Sequence, residues 1–179
     1  ASTTFHIGRD APLGDSLYVR VEDRPEIVAV STNLLSYLPA GIEDLRDRTI
    51  LHAAPEDVNL IALKSRDGLT SLQRDDRGVW WLKEPYRARA DDARVRQLLA
   101  ELATVRIQSF LDEPGVMAAL SEDEATHQLE LGFADRAEPL QVFLGPEVAA
   151  EEPSVAARIE PAGTVASVPA ALRSVLSID

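Results

Sequence analysis

Residues 78–110 read GVWWLKEPYRARADDARVRQLLAELATVRIQSF, and this stretch decides the fold. Val79 to Lys83 has the branched and aromatic composition of a strand. Alternation puts Trp80 and Leu82 on one face and Val79, Trp81 and Lys83 on the other. Pro85 has no N–H to give to a ladder, so the strand is expected to stop near Glu84. Asp91 stands where a helix N-cap belongs, and Asp92 adds negative charge at the positive end of the helix dipole. Val95, Leu98, Leu99 and Leu102 then recur at helical spacing as one apolar stripe. Arg94, Arg96, Gln97 and Glu101 fall largely off that stripe. Beyond it, Val105, Ile107 and Ser109 alternate with Arg106, Gln108 and Phe110, which predicts another strand. The paired tryptophans read as a core residue, Trp80, beside a partly covered neighbour, Trp81; a stacking platform for a sugar or base is the alternative.

Upstream of this stretch, Val58 to Lys64 is a strongly apolar strand. Asp67-Gly68 reads as its two-residue hairpin turn, and Leu69 to Gln73 as the return. Residues 52–120 thus form a central β-β-β-α-β unit. The chain before it offers strands at Thr3–Ile7 (closed by Gly8), Leu17–Val21 and Ile27–Val30. A short helix capped by Ser31 or Thr32 carries Leu34, Leu35 and Leu38. Ile42 to Leu51 reads as a mostly exposed helix or turn. After the central unit, Val116–Leu120 predicts a helical turn, and Ser121 with Glu124 fits a capping box. Strands follow at Gln128–Phe133, Leu140–Leu144 (closed by Gly145), Val155–Ile159 and Thr164–Val168. Pro169 then opens a last helix with Leu172, Val175 and Leu176.

The first and last of these units match. Phe5 to Gly8 lies over Val142 to Gly145, and Ile27 to Leu38 lies over Val165 to Leu176. Val30, Leu34, Ser36 and Leu38 meet identical residues. The expected fold is therefore α+β: two similar β-β-β-α units, residues 1–51 and 121–179, flank the central one. Their sheets are expected to be mostly antiparallel or mixed, with helices on one face, and the three units can still form one compact domain. In the last unit Gln128–Phe133 precedes the strand that matches Thr3–Ile7. The first unit has no counterpart to it, so Thr3–Ile7 is expected at a sheet edge, or covered by another chain or a different local segment, with the missing strand lying upstream of residue 1.

Composition narrows the function. The 179 residues carry 30 acidic and 18 basic groups, a formal charge of −12, which disfavours nucleic acid, whose binding rests on neutralising phosphates. It also disfavours anionic lipid. The balance is uneven, because residues 64–106 hold 10 basic and 7 acidic groups while both flanks are acidic. That marks Trp81, Arg87, Arg89, Arg94 and Arg96 as the candidate partner or ligand surface; a solvated helix face is the plainer reading. Zero cysteines exclude disulfides, thiol nucleophiles and cysteine metal sites. The chain holds no apolar run long enough to span a bilayer, so membrane insertion by these residues is not expected. The opening ASTTFHIGRD lacks a basic start and an apolar core, and reads as a processed chain or an excised domain.

A set of short signatures stands in order along the chain: Leu45-Arg46-Asp47 with Ile50-Leu51, Asp57-Val58, Trp80-x-Leu82-x-x-Pro85, Ala90-Asp91 with the leucine helix, Val142 to Gly145, and Ala156-Ala157-Arg158 through Val165. Together they resemble the bacterial family called domain of unknown function 4340. Ala119-Leu120-Ser121-Glu122, within residues 112–126, departs from the glycine-leucine and proline usual there. The resemblance implies an extracytoplasmic domain of a membrane-anchored protein, in some members beside transporter components linked to gliding motility. It implies no catalytic residues.

The sequence has no phosphate-binding glycine loop, no HExxH, no GxSxG and no EF-hand loop. His6, His52 and His127 are scattered; Glu124 and His127 could share a helical face, but two ligands do not make a metal site. No cofactor or metal is expected. The function expected is non-catalytic interaction with protein partners in the cell envelope. The alternative is a small-ligand or glycan binder, or an enzyme, using a pocket near Trp81, Arg87 and Arg89.

Overall fold

A computed structural model describes residues 2–12, 14–112, 120 and 124–176. The chain divides into a small unit, Ala1–Arg46, and a larger one, Asp47–Asp179. All strand pairs in both are antiparallel, and the α+β class holds.

The small unit is a three-stranded meander, β1 (Phe5–Asp10), β2 (Ser16–Val21) and β3 (Ile27–Ser31), in that spatial order. β1 is an edge strand, as expected. Leu17 and Val19 of β2 are buried. The segment after β3 is a 3-10 helix, Thr32–Tyr37, rather than an α-helix. The Ser31 hydroxyl accepts from the Asn33 N–H at 3.3 Å, and the Ser36 hydroxyl donates to the Asn33 carbonyl at 2.7 Å. Such local side-chain bonds compete with helical ones. A second 3-10 turn, Ile42–Leu45, is held by Asp44, whose carboxylate accepts from the Ala40 N–H at 2.7 Å.

The larger unit contains β4 (Val58–Ser65), β5 (Gly68–Arg74), β6 (Trp80–Glu84), β7 (Ala88–Arg89), α1 (Asp92–Thr104) and β8 (Ser109–Phe110). It continues through β9 (His127–Phe133), β10 (Leu140–Val148), β11 (Ser154–Glu160), β12 (Thr164–Pro169) and α2 (Ala171–Leu176). Its strands form one sheet in the order β7-β6-β5-β4-β9-β10-β11-β12-β8. The strands assigned to the central and last units are joined where β4 pairs with β9. The expected capping box at Ser121 and most of the helical turn at Val116–Leu120 lie outside the described residues.

Local chemistry explains the elements. The Asp91 carboxylate accepts from the N–H groups of Ala93 and Arg94 and starts α1 where expected. Val95, Leu99 and Leu102 are buried; Leu98, at the margin of the stripe, is half-buried against the same core. Trp80 is buried while Trp81 is half-exposed; Leu82 is also half-buried, although it packs on the core. The core gathers α1, α2, Ile61, Leu63, Leu129, Leu131, Val142 and Leu144 into one cluster. Among the described residues, no helix is long and apolar enough to cross a membrane.

Several expectations are corrected. Ser65 pairs with Gly68, so the hairpin turn is Arg66-Asp67, one residue earlier than expected; Gly68, at φ 140°, opens the return strand. Residues 105–108 make only a bridge, Thr49 to Arg106, and a strand forms only at Ser109–Phe110. Ile50 and Leu51 are buried in the core, not exposed, while the 3-10 turn just before them is open to solvent. Gly8 and Gly145 do not end their strands. Each lies inside one, at a one-residue bulge: between Ile7 and Asp10 in β1, and between Leu144 and Glu147 in β10. A glycine within a strand pattern marks such a bulge as readily as an end.

Gly145 has a packing role as well. A Cβ there would overlap Leu120 Cδ2, and Leu120 is buried with Ala156 and Val165 in a second cluster. Alternation puts that cluster on the sheet face opposite Val155 and Ala157. Gly145→Ala is therefore expected to destabilise by about 1–3 kcal/mol through overpacking. Leu120→Ala in the same chain should relieve much of that loss in a double-mutant cycle. Urea unfolding followed by tryptophan fluorescence should also place Leu99→Ala about 2–5 kcal/mol below the parent and leave the exposed Arg96→Ala within about 0.5 kcal/mol.

Candidate interaction surface

The five residues expected to form a partner or ligand surface are split by the fold. Trp81 lies on β6, and its indole N–H donates to the Asp75 carboxylate at 3.0 Å. The other Asp75 oxygen accepts from the N–H groups of Val79 at 2.9 Å and Arg77 at 3.0 Å. These bonds favour the charged form and hold Asp75 below its ordinary 3.8, the Val79 amide contributing most and the Trp81 indole next. The Arg87 guanidinium lies 5.5 Å from the Trp81 ring centroid. The polar edge and one face of Trp81 are thus already engaged by its own chain.

Arg89 is paired across the β6–β7 hairpin with Trp81, and its guanidinium sits 3.6 Å from the Asp92 carboxylate. This exposed pair contributes at most about 1 kcal/mol. Arg89 and Arg94 line one cleft of about 600 Å³, together with Tyr86, Leu82 and Leu98. Arg96 lies in a different and smaller cleft of about 250 Å³, beside Trp80 and Asp92. The structure therefore links Trp81 to Arg87 and Arg89, and Arg89 to Arg94, and leaves Arg96 in a separate cleft.

A larger cleft, about 920 Å³, opens over Ile50, Leu51, Ile107 and Phe133, with His52 and Arg136 at its rim. His52 Nδ1 is 3.8 Å from Asp47 Oδ2, and the Arg136 guanidinium lies 4.1 Å from the Phe133 ring centroid. Sequence reasoning missed this cleft because its walls come from segments far apart in the chain. His127, which could have shared a helical face with Glu124, sits instead in β9 with its Nδ1 3.1 Å from the Thr126 hydroxyl. Burial, and then the Arg173 charge, push its pKa below 6.5. Among the described residues, no group of three or more His, Cys, Asp or Glu side chains is placed to hold a metal ion.

The small unit carries the surface that the sequence did not single out. Thirteen large apolar side chains are exposed among the described residues, and eleven of them belong to Ala1–Arg46. Tyr37 (83 % exposed), Ile42 (77 %) and Leu45 (72 %) are the most open; Phe5 and Ile7 add to them on β1. The signal was present in the sequence: the apolar pattern of Val142 to Leu144 and Val165 to Leu176 recurs at Phe5 to Ile7 and Ile27 to Leu38.

The family model for a domain of unknown function, DUF4340, matches residues 2–130, ending within β9. An antiparallel α+β chain with this match belongs to that family. No curated protein and no solved structure matches the chain.

The Asp75 geometry sets a pH dependence. Its folded pKa lies below the unfolded value, so its stabilisation is full above pH 3.8 and is lost as pH falls through the folded value. Asp75→Asn is expected to flatten the acid limb of the melting temperature against pH below about pH 4. Trp81 emission should change over the same range in the parent and not in the variant.

Proposed function

We propose that this chain is a non-catalytic protein-interaction domain on the outer side of a cell-envelope membrane, in a transporter-associated protein. The observation that carries the reading is the concentration of exposed apolar residues on the small unit. Single exposed apolar residues are ordinary on any protein, but a gathering of them on one small unit marks a contact surface. Tyr18, Tyr37 and Phe5 among them are of the aromatic type enriched where proteins meet. The interaction reading is also supported by the state of the Trp81 site, whose polar groups satisfy one another. What supports the envelope placement and the transporter association is the family resemblance carried by the signatures from Leu45 to Val165.

The test is a photo-reactive phenylalanine analogue placed at Tyr37 or Ile42, with Leu69 of the larger unit as control. The protein is expressed in its own cells and irradiated. A discrete adduct at Tyr37 and Ile42, and none at Leu69, is the expected result; no adduct at either position overturns the reading. Protease added to spheroplasts checks the placement: it should digest the protein, and full protection would put it on the inner side.

A further inference from the structure

The two meanders have the same internal register. Leu17 pairs with Val30 and Val19 with Val28; Val155 pairs with Val168 and Ala157 with Ala166. Across the other ladder, Ile7 pairs with Val19 and Asp10 with Leu17, and Leu144 pairs with Ala157 and Glu147 with Val155. One extra residue, at the same place, separates the pairs in both. β1 is thus the positional counterpart of β10, with Phe5 standing for Val142 and Ile7 for Leu144.

The two strands differ in what lies beside them. β10 is paired on its outer edge by β9 over five residues, Leu140–Leu144 against Leu131–His127. β9 brings buried Leu129, Leu131 and Phe133 to the core face, and Val142 and Leu144 are fully buried. Among the described residues β1 has no strand there, and all six of its own residues are exposed. The Glu22 N–H donates to the Thr4 carbonyl across the β1–β2 ladder. Alternation of an antiparallel ladder then turns the N–H and C=O groups of Phe5 and Ile7 towards the open edge. An open edge with apolar side chains invites another strand.

We propose that the open edge of β1 is a strand-binding site, and that its occupant is an extended segment of a partner protein running antiparallel to β1 with β9-like chemistry. The segment carries apolar side chains at every second residue, to cover Phe5 and Ile7 as Leu129 covers Val142. The small unit holds seven carboxylates and four arginines, so the occupant's remaining positions are neutral or basic. The same charge disfavours a second copy of this unit at the edge. The opposite edge, β3, is the weaker candidate, because its counterpart β12 is covered by β8 over only two residues. The proposal rests on the interaction-domain reading and narrows it to one edge.

The probe is a peptide with the sequence of residues 126–134, THQLELGFA, added to the full 179-residue chain. Residue-resolved amide hydrogen exchange is the readout. Protection of the Phe5 and Ile7 amides is expected on addition of the peptide. Replacing Leu129 and Leu131 of the peptide by lysine should weaken binding at least tenfold, and Glu130→Lys alone should tighten it. No protection at Phe5 and Ile7 overturns the proposal. So does equal binding by the double-lysine peptide, or protection confined to β3. Protection without peptide also overturns it: in favour of a second copy where light scattering shows a dimer, and in favour of the protein's own upstream residues where a chain extended upstream of residue 1 is protected as a monomer. Photo-adducts at Tyr37 and Ile42 with the Phe5 and Ile7 amides unprotected would leave the interaction reading standing and remove the strand site alone.

Discussion

The pairing of β4 with β9 is the contact on which the larger unit depends. It joins two meanders that are separated in sequence by α1 and β8, and it runs from Val58 opposite Phe133 to Ser65 opposite His127. Val58, Ile61, Leu63, Leu129, Leu131 and Phe133 are all buried along it. Without that ladder, each half would present an open edge of apolar residues and half a core. The helices follow from it: α1 and α2 contribute to a single cluster because the two halves share one sheet.

What could be read from the sequence was local. The α1 N-cap, its apolar stripe and the placing of Trp80 inside and Trp81 outside follow from periodicities of 3.6 and 2 over a few residues. The β4–β9 ladder is not local, and no periodicity announces which of several similar strands will meet. Ile50 and Leu51 illustrate the same limit: they follow a charged run, yet they are buried because Ile107, distant in sequence, lies in the same cluster. The two bulges were missed for another reason. Glycine both ends strands and kinks them, and Gly8 and Gly145 kink them. At the candidate surface, charge pattern gathered five residues, of which the fold sets Arg96 in a cleft of its own.

The comparison of the two meanders separates two properties that a strand pattern merges. Alternation states which side chains share a face; it does not state whether that face is covered. Val142 and Phe5 occupy matching positions in matching registers, one fully buried and the other 61 % exposed. The difference lies entirely in the neighbours that the rest of the chain supplies.

The distribution of chromophores gives the two units separate optical signatures. Both tryptophans, at positions 80 and 81, belong to the larger unit, whereas Tyr18 and Tyr37 lie in the smaller and Tyr86 in the larger. Emission excited at the red edge of indole absorption therefore watches only the nine-stranded sheet open. The three-stranded meander can melt in silence under that probe. Its transition is visible only to tyrosine absorbance or to the far-ultraviolet signal of the whole backbone. A single smooth fluorescence curve for this chain is accordingly a statement about residues 47–179, and coincidence with a second probe is needed before one free energy can be assigned to the whole.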